Sequence, residues 1–167
     1  MSLESFYAWQ EGTRIASTIR ENELLFPLIE SVHVLSITLV FGTIAAVDLH
    51  LLGFGSRERR ISELMAELLP FTWVAFVAAA VTGTLLFSSN ATVYGRNFYF
   101  DAKIVLMALA GLNMLVFHLF VGRGVARWGA SASTPWGAKL AGGTSLAIWV
   151  AVVTCGRWIG FTMVGGP

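Results

Sequence analysis

Cysteine is the first thing this 167-residue chain lacks: Cys155 stands alone, which excludes an intramolecular disulfide and any metal site built on a cysteine cluster. Charge is almost as scarce. Asp, Glu, Lys and Arg together make 13% of the residues and the net charge is +1, so no nucleic-acid partner is expected. No glycine-rich nucleotide-binding loop is present. The opening "MSLESFYAWQEGTRIASTIRENELL" has no basic n-region, no uninterrupted apolar stretch and no small-residue cleavage site, so it is not read as a signal peptide.

Apolar sequence fills the space. Hydrophobic residues make 56% of the chain and the mean hydropathy is +0.71, far from the roughly 25% charged average of soluble domains. Four runs, over residues 26–55, 69–88, 102–122 and 140–164, are each long enough for the about 20 helical residues that cross a hydrocarbon core. The expectation is an all-α fold: an integral membrane four-helix bundle, a single transmembrane domain over 1–167, with antiparallel neighbours joined by short loops. In residues 1–24 the apolar Leu3, Phe6, Ile15, Ile19 and Leu24 alternate with Glu and Arg. That pattern predicts one or two amphipathic interfacial helices lying on the membrane. Asn22 and Pro27 mark the approach to the first span.

Basic residues orient the bundle. Arg57, Arg59, Arg60, Arg123, Arg127 and Lys139 fall on one side, while Arg14, Arg20, Arg96 and Lys103 share the other with Glu4, Glu11, Glu21 and Glu23. The first side is assigned to the cytoplasm, which puts both termini in the periplasm of a bacterial inner membrane. Stripes of small residues, Ala75-Ala79-Gly83 and Gly143-Ala147-Ala151-Cys155, let membrane helices approach closely. A homo-oligomer is consistent with them.

Polar side chains inside the runs carry the functional question. The first run holds Glu30, His33, Asp48 and His50, and each needs a compensating partner in an apolar setting. At ~1.5 Å per residue, His33 and His50 stand roughly 25 Å apart and cannot share one metal. His118 lies near the end of the third run, at the depth of His50. Two histidines at one depth on different helices suit a bis-imidazole haem. Met107 and Gly111, 11 and 7 residues before His118, lie within about 20° of its face. Glycine there leaves room for a ring edge, and Met107, at the depth of His33, is a second candidate axial ligand. Asn113 projects elsewhere, toward a neighbouring helix.

Other chemistry is open at the same residues. Glu30 and His33 have the Glu-x-x-His spacing of carboxylate-bridged metal bundles, but those need two such pairs, and this chain has one. A single copper held by histidine with a carboxylate or Met is the smaller alternative. Arg157 in the last run needs a partner, with Glu30, Asp101 or a haem propionate as candidates. The plain structural readings stand beside these. Each histidine can bond across to another helix, Asp48 can pair with Arg57 or Lys139 at a helix end, and Met107 and Cys155 can simply fill space. Trp128, Trp136, Tyr94, Phe98, Tyr99 and Phe100 read as interfacial aromatics.

The stretches "LLFPLIESVHVLSITLVFGTIAAVDLHLLG", "LPFTWVAFVAAAVTGTLLF" and "FYFDAKIVLMALAGLNMLVFH" resemble a bacterial family of small four-helix inner-membrane proteins of unassigned function. The resemblance implies a four-helix membrane domain with histidines at 33 and 118. More remotely, the layout is similar to membrane b-type cytochromes and to the copper-resistance D membrane domain, although the paired histidines within one helix seen in some cytochromes are missing. The resulting expectation is a haem b protein using His33, His118 and His50, with Arg157 steadying a propionate and Glu30 or Asp48 holding a second metal or passing protons. Its partners would be the lipid bilayer and an electron donor or acceptor such as a quinone. A metal or proton carrier, or a structural subunit without cofactor, is the alternative.

Overall fold

The computed structural model describes residues 3–54, 60–121, 124–125 and 134–164. Two short helices open the chain, α1 (Leu3–Glu11) and α2 (Arg14–Glu21), followed by the first long helix, α3 (Leu25–Leu52). The second long helix is α4 (Ile61–Ser89), and a single turn, α5 (Ala91–Tyr94), leads into α6 (Phe98–Val116). A π-helical turn over Phe117–Val121 extends α6, and α7 (Trp136–Val164) ends the described fold. Four of these helices are long and apolar enough to cross a membrane. The protein is therefore an all-α, multi-pass membrane protein with a lipid bilayer around it.

Local chemistry explains the boundaries. Thr13 caps α2 by accepting the Ala16 N–H on its hydroxyl, and Asn22 Oδ1 accepts from the N–H groups of Leu24 and Leu25 at the start of α3. Pro27 sits in the first turn of α3, where its missing donor costs nothing. At the far end Gly53 takes φ +97°, and the Gly53 and Phe54 N–H groups close back on His50 and Leu49. A left-handed terminating residue favours glycine for want of a Cβ.

Two boundaries differ from the sequence expectation. Helix α4 begins eight residues before position 69, so the segment ISELMAEL is helical and not loop. Glu63 and Glu67 mask the hydropathy there but suit the first turns of a helix, and Pro70 is accommodated inside it as membrane helices allow. Helix α6 starts earlier than residue 102 because the Asn97 side chain caps it by accepting from Tyr99 and Phe100.

The four long helices form an open arc. Helix α3 packs along α4 and α7, and α7 packs along α6, whereas α4 and α6 do not run along each other. They meet at one end, where Phe87 and Phe100 stack with ring centroids 5.1 Å apart. Tyr7 and Tyr94 join Phe87 there. Tyr94 and Phe100 thus belong to an aromatic cluster that ties α1, α4, α5 and α6, beyond the interfacial role read from sequence; Phe98 is the exposed one.

That end is capped by α1 and α2. Arg20 donates to the Ser89 and Glu11 carbonyls, Glu11 accepts the Thr92 N–H, and Arg96 pairs with Glu4 at 3.0 Å. Apolar Leu3, Trp9 and Ile15 face outward, as expected of helices resting on a bilayer. At the opposite end Leu51, Ile61, Phe117 and Ala138 form a small apolar core. Between the two ends, the gap between α4 and α6 leaves a seam.

Candidate functional site

The seam opens on an apolar cavity of about 210 Å³ lined by α3, α4, α6, the π-helical turn and α7. Trp73 and Phe76 of α4 form one wall, and Met107, Gly111, Met114 and His118 the other, with Trp149 of α7 at the back. The enclosed volume is below the ~300–1,000 Å³ of typical small-molecule pockets, but the cavity is open along the seam. A Cβ built on Gly111 meets nothing within 4 Å, so the glycine adjoins free space. Met107, Gly111 and His118, placed on one helix face by their spacing, do share one cavity wall.

His118 stands at the cavity mouth, exposed, on the π-helical turn. Its Nδ1 lies 2.8 Å from the Met114 carbonyl oxygen. A carbonyl can only accept, so Nδ1 carries the proton and Nε2 of the neutral ring keeps a bare lone pair. A histidine with its tautomer fixed in this way is prepared to ligate a metal or accept a proton. π-Helical turns interrupt regular bonding and recur at functional sites.

The other candidates lie elsewhere. His33, in the capped half of the bundle, has Nδ1 2.9 Å from Thr82 Oγ1, and the Thr82 hydroxyl gives its own proton to Ala78 at 2.7 Å. The imidazole is therefore the donor, and its ring presses on α4 where Gly83 has no side chain: a Cβ there would stand 2.9 Å from His33 Cε1. His50 is half-buried but does not line the cavity. Of the residues paired by depth, His118 and Met107 line this cavity and His50 and His33 do not. Glu30 is exposed and acts on Tyr94, whose phenol is pushed above its ordinary range first by burial and then by the Glu30 charge.

Asp48 is the buried carboxyl, only 5% exposed. It faces α7, where the Ser145 hydroxyl is near enough to act on the carboxyl and Gly142 allows the close approach; a Cβ on Gly142 would sit 3.2 Å from the Asp48 carbonyl oxygen. Its Oδ2 has no hydrogen-bond partner among the described residues. Pairing with Lys139 is not what holds it, and Arg57 lies outside the described residues. Ser145 also lines the cavity, so the carboxyl stands one hydroxyl behind the cavity wall.

Arg157 is exposed, its guanidinium 4.7 Å over the Phe161 ring, and it reaches neither Glu30 nor Asp101. Cation–π contact in place of an ion pair satisfies it. Among the described residues no three His, Cys, Asp or Glu side chains converge as a metal cluster, so Glu30, His33, Asp48 and His50 do not assemble into one. Asn113 donates to the Ala141 carbonyl at 3.0 Å, the bond to a neighbouring helix that its position suggested.

Sequence reasoning missed Lys103. Counted among the exposed charges, it lies on α6 inside a span and acts on both His33 and Cys155, with Nζ 3.6 Å from where a Gly156 Cβ would be. Its position inside the third apolar run was the available signal. Met65, on the α4 side of the cavity, was hidden in what was read as loop.

A four-helix membrane bundle with a laterally open apolar cavity and one tautomer-fixed histidine at its mouth defines the class. The chain belongs to a family of unknown function, DUF6644, whose profile matches residues 6–162. No curated protein and no solved structure matches it, and neither comparison supports a likeness to membrane cytochromes.

Proposed function

We propose that the protein is a membrane b-type haem protein that would hold haem b at the α4–α6 seam, with His118 as the side chain that would bind its iron. The observation that carries this reading is the bare Nε2 of His118 beside an apolar cavity. The donor set fits: an imidazole with its second nitrogen engaged, thioethers of Met65, Met107 and Met114, and free space beside Gly111. The cavity is smaller than a haem ring and is open along the seam. Bound haem supplies one-electron transfer.

The chain's own residues would do the rest. Met114 fixes the ligand tautomer, Trp73, Phe76 and Trp149 exclude water, and the seam admits a lipid-dissolved electron partner such as a quinone. The rival reading, a metal or proton carrier using Glu30, His33, Asp48, His50 and Arg157 as a relay without haem, is the one that colourless folded protein with transport in vesicles would favour. For copper, no three His, Cys, Asp or Glu side chains converge among the described residues. A bacterial inner membrane with periplasmic termini is the accompanying assignment, from the basic-residue bias. The exposed Ala147 of α7 suits a homo-oligomer contact.

The test is the visible spectrum of protein purified in detergent from haem-replete cells. A dithionite-sensitive Soret band is expected, lost in His118→Ala and kept in His50→Ala and His33→Ala. Folded wild-type protein without pigment ends the reading.

A further inference from the structure

A second concavity lies away from the seam, where α2 rests on the capped ends of α3 and α4. It is an open groove of about 330 Å³. Its walls are apolar: Ile15 and Ile19 from α2, Leu25 and Ile29 from α3, and Leu85 from α4. Leu25 opens α3 and Leu85 lies four residues before the end of α4. At ~1.5 Å per residue the groove therefore descends about 6 Å from the helix ends into the apolar layer.

Arg14 stands in the same lining. It is the first residue of α2 and exposed, and no hydrogen bond or ion pair of its guanidinium is found among the described residues. The other charged groups of this cap are mostly engaged: Arg20 with the Ser89 and Glu11 carbonyls, Glu11 with the Thr92 N–H, and Glu4 with Arg96. Glu21 and Glu23 sit at the opposite end of α2 and do not line the groove. A free guanidinium lining an apolar trough beside the ends of the membrane-spanning α3 and α4 matches the two halves of one phospholipid molecule.

We propose that this groove binds an anionic phospholipid of the leaflet on which α1 and α2 lie. Arg14 takes the phosphate through charge-assisted hydrogen bonds, for which its planar fork is suited. One acyl chain lies between Ile19, Ile29 and Leu85. The lipid covers apolar surface that α2 alone leaves open and so fastens the cap to the bundle. Charge complementarity selects the headgroup, because a zwitterionic lipid brings its own cation to the same phosphate and gains less from Arg14.

Native mass spectrometry of the delipidated full chain, titrated with phosphatidylglycerol or with phosphatidylcholine of identical chains, reads this directly. Wild type is expected to retain one phosphatidylglycerol about fivefold more tightly than phosphatidylcholine, the factor that ~1 kcal/mol for one Arg near a membrane surface implies. Arg14→Gln should abolish that preference while Arg14→Lys keeps most of it, and Leu85→Trp, which fills the trough, should reduce binding of both lipids. Thermal unfolding of each variant without added lipid separates lost binding from lost folding. An unchanged preference in Arg14→Gln, undiminished binding in folded Leu85→Trp, or no headgroup preference in wild type overturns the proposal. The outcome does not depend on haem, so pigment-free protein tests it equally well.

Discussion

The imidazole of His33 occupies the place of a missing side chain on Gly83: its Cε1 lies 2.9 Å from where a Cβ would stand, while Nδ1 is held by Thr82 at 2.9 Å. Two adjacent residues of α4 thus set both the space and the hydrogen bond for one histidine of α3. The contact helps explain why α3 and α4 pack along each other.

Gly83→Ala should therefore destabilise the bundle by about 1–3 kcal/mol, the usual cost of overpacking. The neighbour that must yield is a ring tethered by a hydrogen bond, not the free tip of a flexible chain. Adding His33→Ala should remove most of that penalty, a coupling that a double-mutant cycle of detergent unfolding measures. Additive effects would mean that the ring and the glycine are not in contact.

The Ser145 hydroxyl acts on the buried Asp48 carboxyl, whose Oδ2 has no hydrogen-bond partner among the described residues. Ser145→Ala removes that neighbouring hydroxyl and should cost about 1–3 kcal/mol of unfolding free energy. With Asp48→Ala in the background the same Ser145 change should cost much less. Equal costs in the two backgrounds would show that the hydroxyl does not serve this carboxyl.

Tyr94 supplies a pH dependence. Burial, and then the Glu30 charge, favour its neutral phenol, so the folded protein keeps this proton to higher pH than the unfolded chain does. Below the ordinary phenol value of about 10 both states are protonated and the stability is intact. As pH rises past that value toward the folded one, the unfolded chain releases its proton first and stability falls. Glu30→Gln should move the tyrosinate absorbance step down in pH, read as the component that disappears in Tyr94→Phe. A step that stays in place would separate the two residues.

Much of this architecture could be read along the chain because each spanning helix writes its length in apolar residues, and α3 and α7 closely follow their runs. Helix α4 was cut short because Glu63 and Glu67 look like loop to a hydropathy window, although Glu63 sits in its first turn and Glu67 in its second. The site was less legible for a geometric reason. Counting residues gives depth, and it put His50 beside His118, but whether two side chains face each other depends on which helices are neighbours. The arc α4–α3–α7–α6 puts His118 on the seam and leaves His50 off it. Met107 and Gly111 were legible with His118 because all three lie on one helix, where spacing alone fixes the face.

The seam between α4 and α6 also decides how a visitor arrives. A molecule entering there never needs to leave the fatty phase, so its supply is set by solubility in the membrane rather than in the surrounding water. Poorly water-soluble compounds would reach His118 by sideways diffusion, and hydrophilic ones of the same size would be kept away by the lipid itself, before any side chain selects between them.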